Sequence, residues 1–288
     1  MPECDEIRSA GSDEARLLRP LWREAFGDTE EFMACYEARM FRPDRVELAV
    51  RDGEIVSMLT VLPAVLRTEE GGTFPSGCVY GVATRTQYRG QGLASRLLSA
   101  AVRKRIGHEL DCMAVVPDTP ELFPYYGRTM EAHTAFYVRE VQVTARQLSE
   151  APARCPAAVE AEDYWRTRSR NLQGHTYLEW DRNAVDFQKE LCRQEGGDLF
   201  CFPDVPDCCA AAERRHDGTL LVHELLAPEE QLAGCLAGLM RQMGCSAAEV
   251  RLPAWSGAVL GGRMEPFAML AGRMLPEAQK AYLGFDFA

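Results

Sequence analysis

Arg89-Gly90-Gln91-Gly92-Leu93-Ala94 separates two segments of opposite character. Before it, Cys78-Val79-Tyr80-Gly81-Val82-Ala83-Thr84 reads as a strand. After it, Leu93, Leu97, Leu98, Ala101, Val102 and Ile106 fall on one face of a helix. Glycines let the backbone turn tightly with nothing between it and a ligand. A helix start aims unpaired N–H groups and the positive end of a dipole outward. This stretch therefore predicts an anion site whose natural guest is a phosphate or pyrophosphate.

Working outward, the first half alternates helices and strands. Leu17 to Phe41 reads as helical, with a break at Gly27-Asp28. Val46 to Val50 and Ile55 to Leu66 read as strands around the hairpin turn Arg51-Asp52-Gly53-Glu54. A second turn at Glu69 to Thr73 leads into the strand before the glycines. Downstream come a short strand at Asp111 to Val116, a short helix at Pro120 to Tyr126 and a strand at Ala135 to Val143. The proline-bearing stretch Ser149 to Pro156 reads as a linker. The expected domains are therefore residues 1–147 and 157–288.

In the second half, Tyr164 to Cys192 reads as helical. Strands follow at Asp198 to Phe202, Cys208 to Arg214 and Leu220 to Leu226, then a helix over Glu229 to Met243. Ala247 to Leu252, Phe267 to Leu270 and Tyr282 to Phe287 are the last expected strands. The junction Leu226-Ala227-Pro228-Glu229-Glu230 has no glycine and carries carboxylates where the first half has its anion loop. This half reads as an echo of the same element order without a phosphate site.

The 288 residues are 47% hydrophobic and 26% charged, a globular composition. Net charge is −11, spread over both halves, which argues against nucleic acid as a partner and fits a cationic small substrate. No apolar run approaches the roughly 20 residues of a membrane helix, and the N-terminus lacks a signal pattern, so a cytoplasmic protein with no membrane partner is expected. The 11 cysteines are odd in number and lack C-x-x-C spacing, and the five histidines show no paired-ligand spacing. Free thiols and no metal are expected.

Thr84-Arg85-Thr86-Gln87-Tyr88-Arg89-Gly90-Gln91-Gly92-Leu93-Ala94 resembles motif A of the GCN5-related N-acetyltransferases (GNAT), Q/R-x-x-G-x-G/A, with Arg89, Gly92 and Ala94 in its fixed positions. The register Gln87-x-x-Gly90-x-Gly92 also fits the letters, and the helix starting at Leu93 favours the first. A P-loop would need Gly-Lys-Ser/Thr, which is missing, and a dinucleotide fold would not open with antiparallel hairpins. The resemblance implies an α/β (α+β) fold with a mixed, mostly antiparallel sheet flanked by helices. A second GNAT-like domain without the loop would follow it.

It also implies acetyl-coenzyme A as co-substrate. Arg89, Gly90, Gln91, Gly92, Leu93, Ala94 and Ser95 would surround its pyrophosphate, and Val82, Ala83 and Thr84 would meet its pantetheine arm. Leu122-Phe123-Pro124-Tyr125-Tyr126-Gly127-Arg128 is similar to the I-Y-G-R-F-G segment of the enhanced-intracellular-survival type, which puts Tyr126 on the family's catalytic tyrosine. A phenol there protonates the departing thiolate. Met130 replaces the family's glycine, and Tyr125 takes the role if the register shifts by one.

For the general base, Asp28, Glu30, Glu31 and Glu37 are the candidates, together with the chain-terminal carboxylate after Asp286-Phe287. The implied activity is N-acetylation of a primary amine on a small molecule by direct transfer. The alternatives are a non-catalytic coenzyme A-binding module and a protein N-acetyltransferase.

Overall fold

The structure, a computed structural model, describes residues 6–272 and 281–287. The terminal carboxylate of Ala288, considered above as a base, lies outside them. The chain forms two compact units, and no single cut separates them. One holds Met1–Leu66, Phe74–Thr134 and Ala268–Leu275; the other holds Arg67–Thr73, Ala135–Phe267 and Pro276–Ala288.

The first unit opens with β1 (Glu6–Ser9), α1 (Ala15–Phe26) and α2 (Glu30–Arg39). Gly27, at φ 76°, ends α1, and its N–H reaches Arg23 O. The Thr29 hydroxyl then accepts from Phe32 N and caps α2, whose first turn carries Glu30 and Glu31. Arg8 of β1 fastens the start of α1: its two terminal nitrogens each lie 2.7 Å from a Glu14 carboxylate oxygen.

Strands β2 (Val46–Arg51) and β3 (Glu54–Arg67) form the expected hairpin. Asp52 and Gly53 both have positive φ (53° and 79°), as its two-residue turn requires. β3 is buried along most of its length, as a central strand should be.

β4 (Thr73–Thr84) runs into the glycine loop and α3 (Leu93–Arg105), which crosses over to β5 (Cys112–Val115), parallel to β4. α4 (Leu122–Met130) follows. The pairing of β4 with β5 covers only Ser76–Val79 against Cys112–Val115. β5 therefore offers no ladder partner from Gly81 to Thr84. At the divergence Gly81 adopts φ 60°, with a Trp22 ring face so close that a Cβ would lie 2.7 Å from it.

β6 (His133–Thr144) and β7 (Ala157–Ala158) come next. Tyr164 to Cys192, expected to be all helical, divides into α5 (Ala161–Asn171), β8 (Thr176–Trp180) and α6 (Arg182–Gln194). The interruption has local causes: Gly174 turns at φ 83°, the intervening residues are aromatic and β-branched, and Asp181 recaps the chain by accepting from Ala184 N. β9 (Asp198–Cys201), β10 (Cys209–Arg214), β11 (Leu220–Leu226), α7 (Leu232–Met243) and β12 (Ala247–Pro253) complete the run expected from the sequence.

In the second unit β12 is parallel to β11 and antiparallel to β6, while β9, β10 and β11 are mutually antiparallel neighbours. α7 covers them through Leu232, Cys235, Leu236 and Leu239. The segment 149–156, expected to be a linker, packs on α7: Arg154 N donates to Gly234 O at 2.9 Å, and its carbonyl sits where a Cβ on Gly238 would go.

β13 (Arg263–Gly272) is longer than the Phe267 to Leu270 strand read from the sequence. Its last four residues pair antiparallel with β5, from Met269 opposite Val115 to Gly272 opposite Cys112. Of the expected strand from Tyr282 to Phe287, only the start is paired among the described residues, in β14 (Ala281–Tyr282). Gly284, at φ 87°, ends the extended run, and the Leu283 carbonyl accepts from Trp180 Nε1 and Arg168 instead.

Two stability outcomes follow. Gly81→Ala combines an unfavourable positive φ with a collision against Trp22, a cost of about 2–5 kcal/mol. Gly90→Ala shares the positive φ (76°) but meets nothing within 4 Å, so it costs only about 1–2 kcal/mol in urea unfolding.

Acid tests the Arg8–Glu14 clasp. The Arg8 hydrogen bonds hold the Glu14 carboxyl near 2, below its usual 4.5. A depressed folded value means that this contribution is complete above about pH 4.5 and is lost as pH falls toward 2. Glu14→Gln should therefore flatten the acid limb of the unfolding curve over that window.

Candidate active site

The loop connecting β4 to α3 is a turn of 3-10 helix (Thr86–Tyr88), then Arg89 in extended conformation, then Gly90 and Gly92 at φ 76° and 75° around Gln91. Gly92 is the residue before the first turn of α3. No side chain caps that turn and it contains no acidic residue, so the first N–H groups of α3 face open space. The loop is braced from beneath. Arg89 Nε donates to Thr84 O at 3.1 Å, and Arg51 donates to Gln91 Oε1 at 2.8 Å while lying 5.1 Å over the Tyr88 ring. On the far side, Glu24 accepts from Thr86 N at 2.5 Å.

A cavity of 260 Å³ lies over this turn. Of the residues named from the sequence, Thr84, Arg89, Gly90, Gly92, Leu93, Ala94 and Ser95 line it, together with Tyr88 and Tyr125. Gln91 is absent from the wall because its side chain turns back toward Arg51 and Gln87 O. Val82 and Ala83 sit on the stretch of β4 that β5 does not pair, with β3 still its neighbour on the other side. The Ala83 carbonyl is already engaged by Ser57 Oγ at 2.7 Å, and Ser57 also lies 2.8 Å from Thr84 Oγ1. Ser57 was not singled out from the sequence, although a serine within the apolar run Ile55 to Leu62 was a visible signal. Ser95 also borders a second cavity of 370 Å³ lined by Arg96 and Arg103.

The two tyrosines of α4 have different surroundings. Tyr125 reaches the loop cavity, where Ser95 Oγ donates to its hydroxyl at 3.2 Å. Tyr126 is 6% exposed and packs among Val79, Leu97, Met113 and Val115, where β4 and β5 part. Its ring meets that of Tyr125 edge-on, with centroids 5.2 Å apart. Burial pushes the Tyr126 phenol up to about 12, and Tyr125, Asp118 and Cys78 add to the shift.

The candidate bases are mostly committed elsewhere. Glu37 and Glu30 pair with Arg19, at 2.6 and 2.7 Å. The Asp28 carboxylate accepts from Trp22 Nε1 at 2.6 Å. Trp22 in turn heads an aromatic cluster with Phe26, Phe32, Tyr36 and Tyr80, at centroid separations of 4.7–6.0 Å. Phe26 leaves 45% of its surface in solvent.

The matching junction in the second unit is filled by the chain itself. Glu229, after β11, has its carboxylate bound by Gly257 N at 2.7 Å, Val259 N at 3.0 Å and Ser256 Oγ at 3.5 Å. Among the described residues no helix is long and apolar enough to cross a membrane.

Residues 6–128 match the family model described as an acetyltransferase (GNAT) domain. No curated protein matches the chain. Its fold is similar to that of a conserved protein of unknown function from Enterococcus faecalis V583, described as a probable N-acyltransferase. That likeness has a TM-score of 0.72 at 13% identity and covers 93% of this chain and 72% of that one. A GCN5-related N-acetyltransferase from Anabaena variabilis ATCC 29413 gives 0.74 at 13% identity, with the same coverage. Eis1 from Mycobacterium abscessus gives 0.68 at 12% identity over 93% of this chain and 73% of that one. At such identities the likeness concerns the fold alone, and it is the family match that identifies a GNAT acetyltransferase domain in residues 6–128.

Proposed function

We propose that the chain transfers an acetyl group from acetyl-coenzyme A to a primary amine of a small molecule, in the first unit and by direct attack. The observation that carries this reading is the early end of β5. It leaves the backbone of β4 from Gly81 to Thr84 without a partner from that strand, immediately before the open N-terminus of α3.

The N–H groups from Gly90 to Ser95 suit a pyrophosphate, and the open space above both glycines lets it approach the backbone. Arg96 and Arg103 border the adjoining cavity and supply charge for a further phosphate. The free edge of β4 suits the amide-bearing arm, and an N–H of that edge can hold the oxyanion. The neutral acceptor nitrogen bonds to the acetyl carbonyl carbon and forms a tetrahedral oxyanion. As that collapses, the carbon–sulfur bond breaks while Tyr126 gives its proton to the departing sulfur, and the proton shed by the nitrogen passes through solvent and returns the tyrosinate to its phenol form.

The buried phenol stays in its donor form throughout the neutral range. The same burial makes it a weak acid, so proton transfer must accompany departure of the sulfur rather than precede it. On the acceptor side, the exposed edge of Phe26, the partly buried Phe32 and Tyr80, and the Asp28 carboxylate offer aromatic faces beside a negative charge. That chemistry favours an ammonium.

A second reading exchanges the two phenols. Tyr125 lines the loop cavity and is hydrogen-bonded to Ser95, so it is the alternative donor.

Steady-state thiol release with a panel of primary amines separates these readings. Tyr126→Phe should lower kcat by about 10²- to 10⁴-fold with coenzyme A affinity retained, and Tyr125→Phe should leave kcat within a few-fold. The reverse pattern assigns the proton to Tyr125. Coenzyme A binding with no amine acetylated would leave a binding module. Because the folded value of Tyr126 is raised, the wild-type kcat/KM profile should carry no alkaline limb from this group below about pH 12.

A further inference from the structure

In the second unit three elements bring chemically distinct ligands to one buried point. α6 supplies Cys192, β10 supplies Glu213 and β11 supplies His223, and their sulfur, oxygen and nitrogen atoms all lie within 4.8 Å of one another. The residues are 0%, 8% and 2% exposed. No local spacing announces this cluster, because the three positions are far apart in the chain and match no ligand motif.

The convergence has a backbone cause. Between β10 and β11 the register shifts: Ala211 faces Glu224 but Ala212 faces Val222, which leaves His223 as an extra residue. A bulge of this kind re-aims a side chain. Glu224 is satisfied by Tyr164 and Arg168 of α5, whereas His223 is placed beside Glu213 and Cys192.

Ordinary hydrogen bonding leaves the group incomplete. His223 Nε2 is 3.0 Å from Glu213 Oε2 but lacks the alignment of a hydrogen bond and has no other partner. Gln188, one turn before Cys192, donates Nε2–H toward Cys192 Sγ at 3.5 Å and leaves its own Oε1 without a partner. Buried polar atoms left in this state are costly, and they mark a place where something else binds.

We infer that Cys192, Glu213 and His223 form a binding site for a divalent transition metal, zinc foremost, with Gln188 Oε1 or a water as the fourth ligand. A thiolate, a carboxylate and a neutral imidazole form a set that zinc accepts in tetrahedral geometry. With the thiol deprotonated, the two negative ligands balance the 2+ ion, so the buried group carries no net charge. The cation displaces the thiol proton as it binds, because only the thiolate ligates. Behind the imidazole, Asp286 Oδ1 lies 4.0 Å from His223 Nδ1, and Asp286 is itself held by Arg251 at 2.9 Å. That carboxylate stands on the Nδ1 side of the ring, away from the Nε2 that faces Glu213. Complete burial of Cys192 rules out its use as a nucleophile toward substrate.

The test is titration of the full-length, chelator-treated chain with Co²⁺, followed by competition with Zn²⁺. The expected result is one equivalent bound, with a near-ultraviolet thiolate-to-cobalt band and the visible bands of a four-coordinate site, both abolished by one equivalent of Zn²⁺. Cys192→Ser should lose the near-ultraviolet band, and His223→Ala and Glu213→Gln should weaken binding by about tenfold or more. Cys155 is an exposed thiol, so Cys155→Ser should bind as wild type does. The inference is overturned if the folded wild type takes up no equivalent of either metal, or if the band survives in Cys192→Ser and vanishes in Cys155→Ser. The wild-type titration decides the matter even if a core variant fails to fold.

Discussion

β5 ends opposite Val79 while β4 continues to Thr84, and the character of the first unit depends on that mismatch in length. Paired backbone is chemically silent. Backbone that loses its neighbour inside a folded sheet keeps its direction, and its N–H and C=O groups become available to a ligand. Gly81 accommodates the divergence with a positive φ, and the Trp22 ring beside it leaves no room for a Cβ. Two residues of α4 watch the opening from different depths: Tyr126 is locked among the strands and Tyr125 faces the loop. The loop adds uncapped helix N–H groups after the same strand, so one continuous stretch of backbone supplies both an open helix start and an extended edge.

The second unit solves a different problem with similar elements. Its junction after β11 places Glu229 against the N–H groups of Gly257 and Val259, an internal anion where the first unit leaves donors open. Its interior is held by charge as well as by packing. Arg168 and Glu224 are 2% and 0% exposed, 2.9 Å apart, and share partners with Tyr164 and the Leu283 carbonyl. Removing one member of such a pair strands a buried charge, at a cost of about 3–5 kcal/mol. Arg168, Trp180 and the rings of Phe285 and Phe287 together fix the C-terminal residues that β-pairing alone does not hold.

Much of the first unit was legible in the sequence because its signals are local. Gly27 and Thr29, Asp52 and Gly53, and Gly90 and Gly92 each state a turn or a cap within a few residues. The apolar period of α3 starts where the loop ends. Most of the cavity wall comes from that loop, while packing turns Gln91 away and brings in Tyr125 from α4. β8 was lost in a window read as helical, although Gly174 and Asp181 bracket it. Which of Tyr125 and Tyr126 reaches the cavity was beyond the motif, since adjacent residues on a helix point about 100° apart and only packing fixes the rotation.

The sequence by itself determined where the backbone turns, which half carries the glycine loop and where the helix after it begins, because φ preferences and helix starts act over a few residues. Tertiary structure alone decided that Met269 to Gly272 complete the pairing of β5, that Tyr126 is buried while Tyr125 is not, and that Cys192, Glu213 and His223 meet. Those outcomes depend on contacts between residues far apart in the chain, where register and packing, rather than local propensity, set the energy.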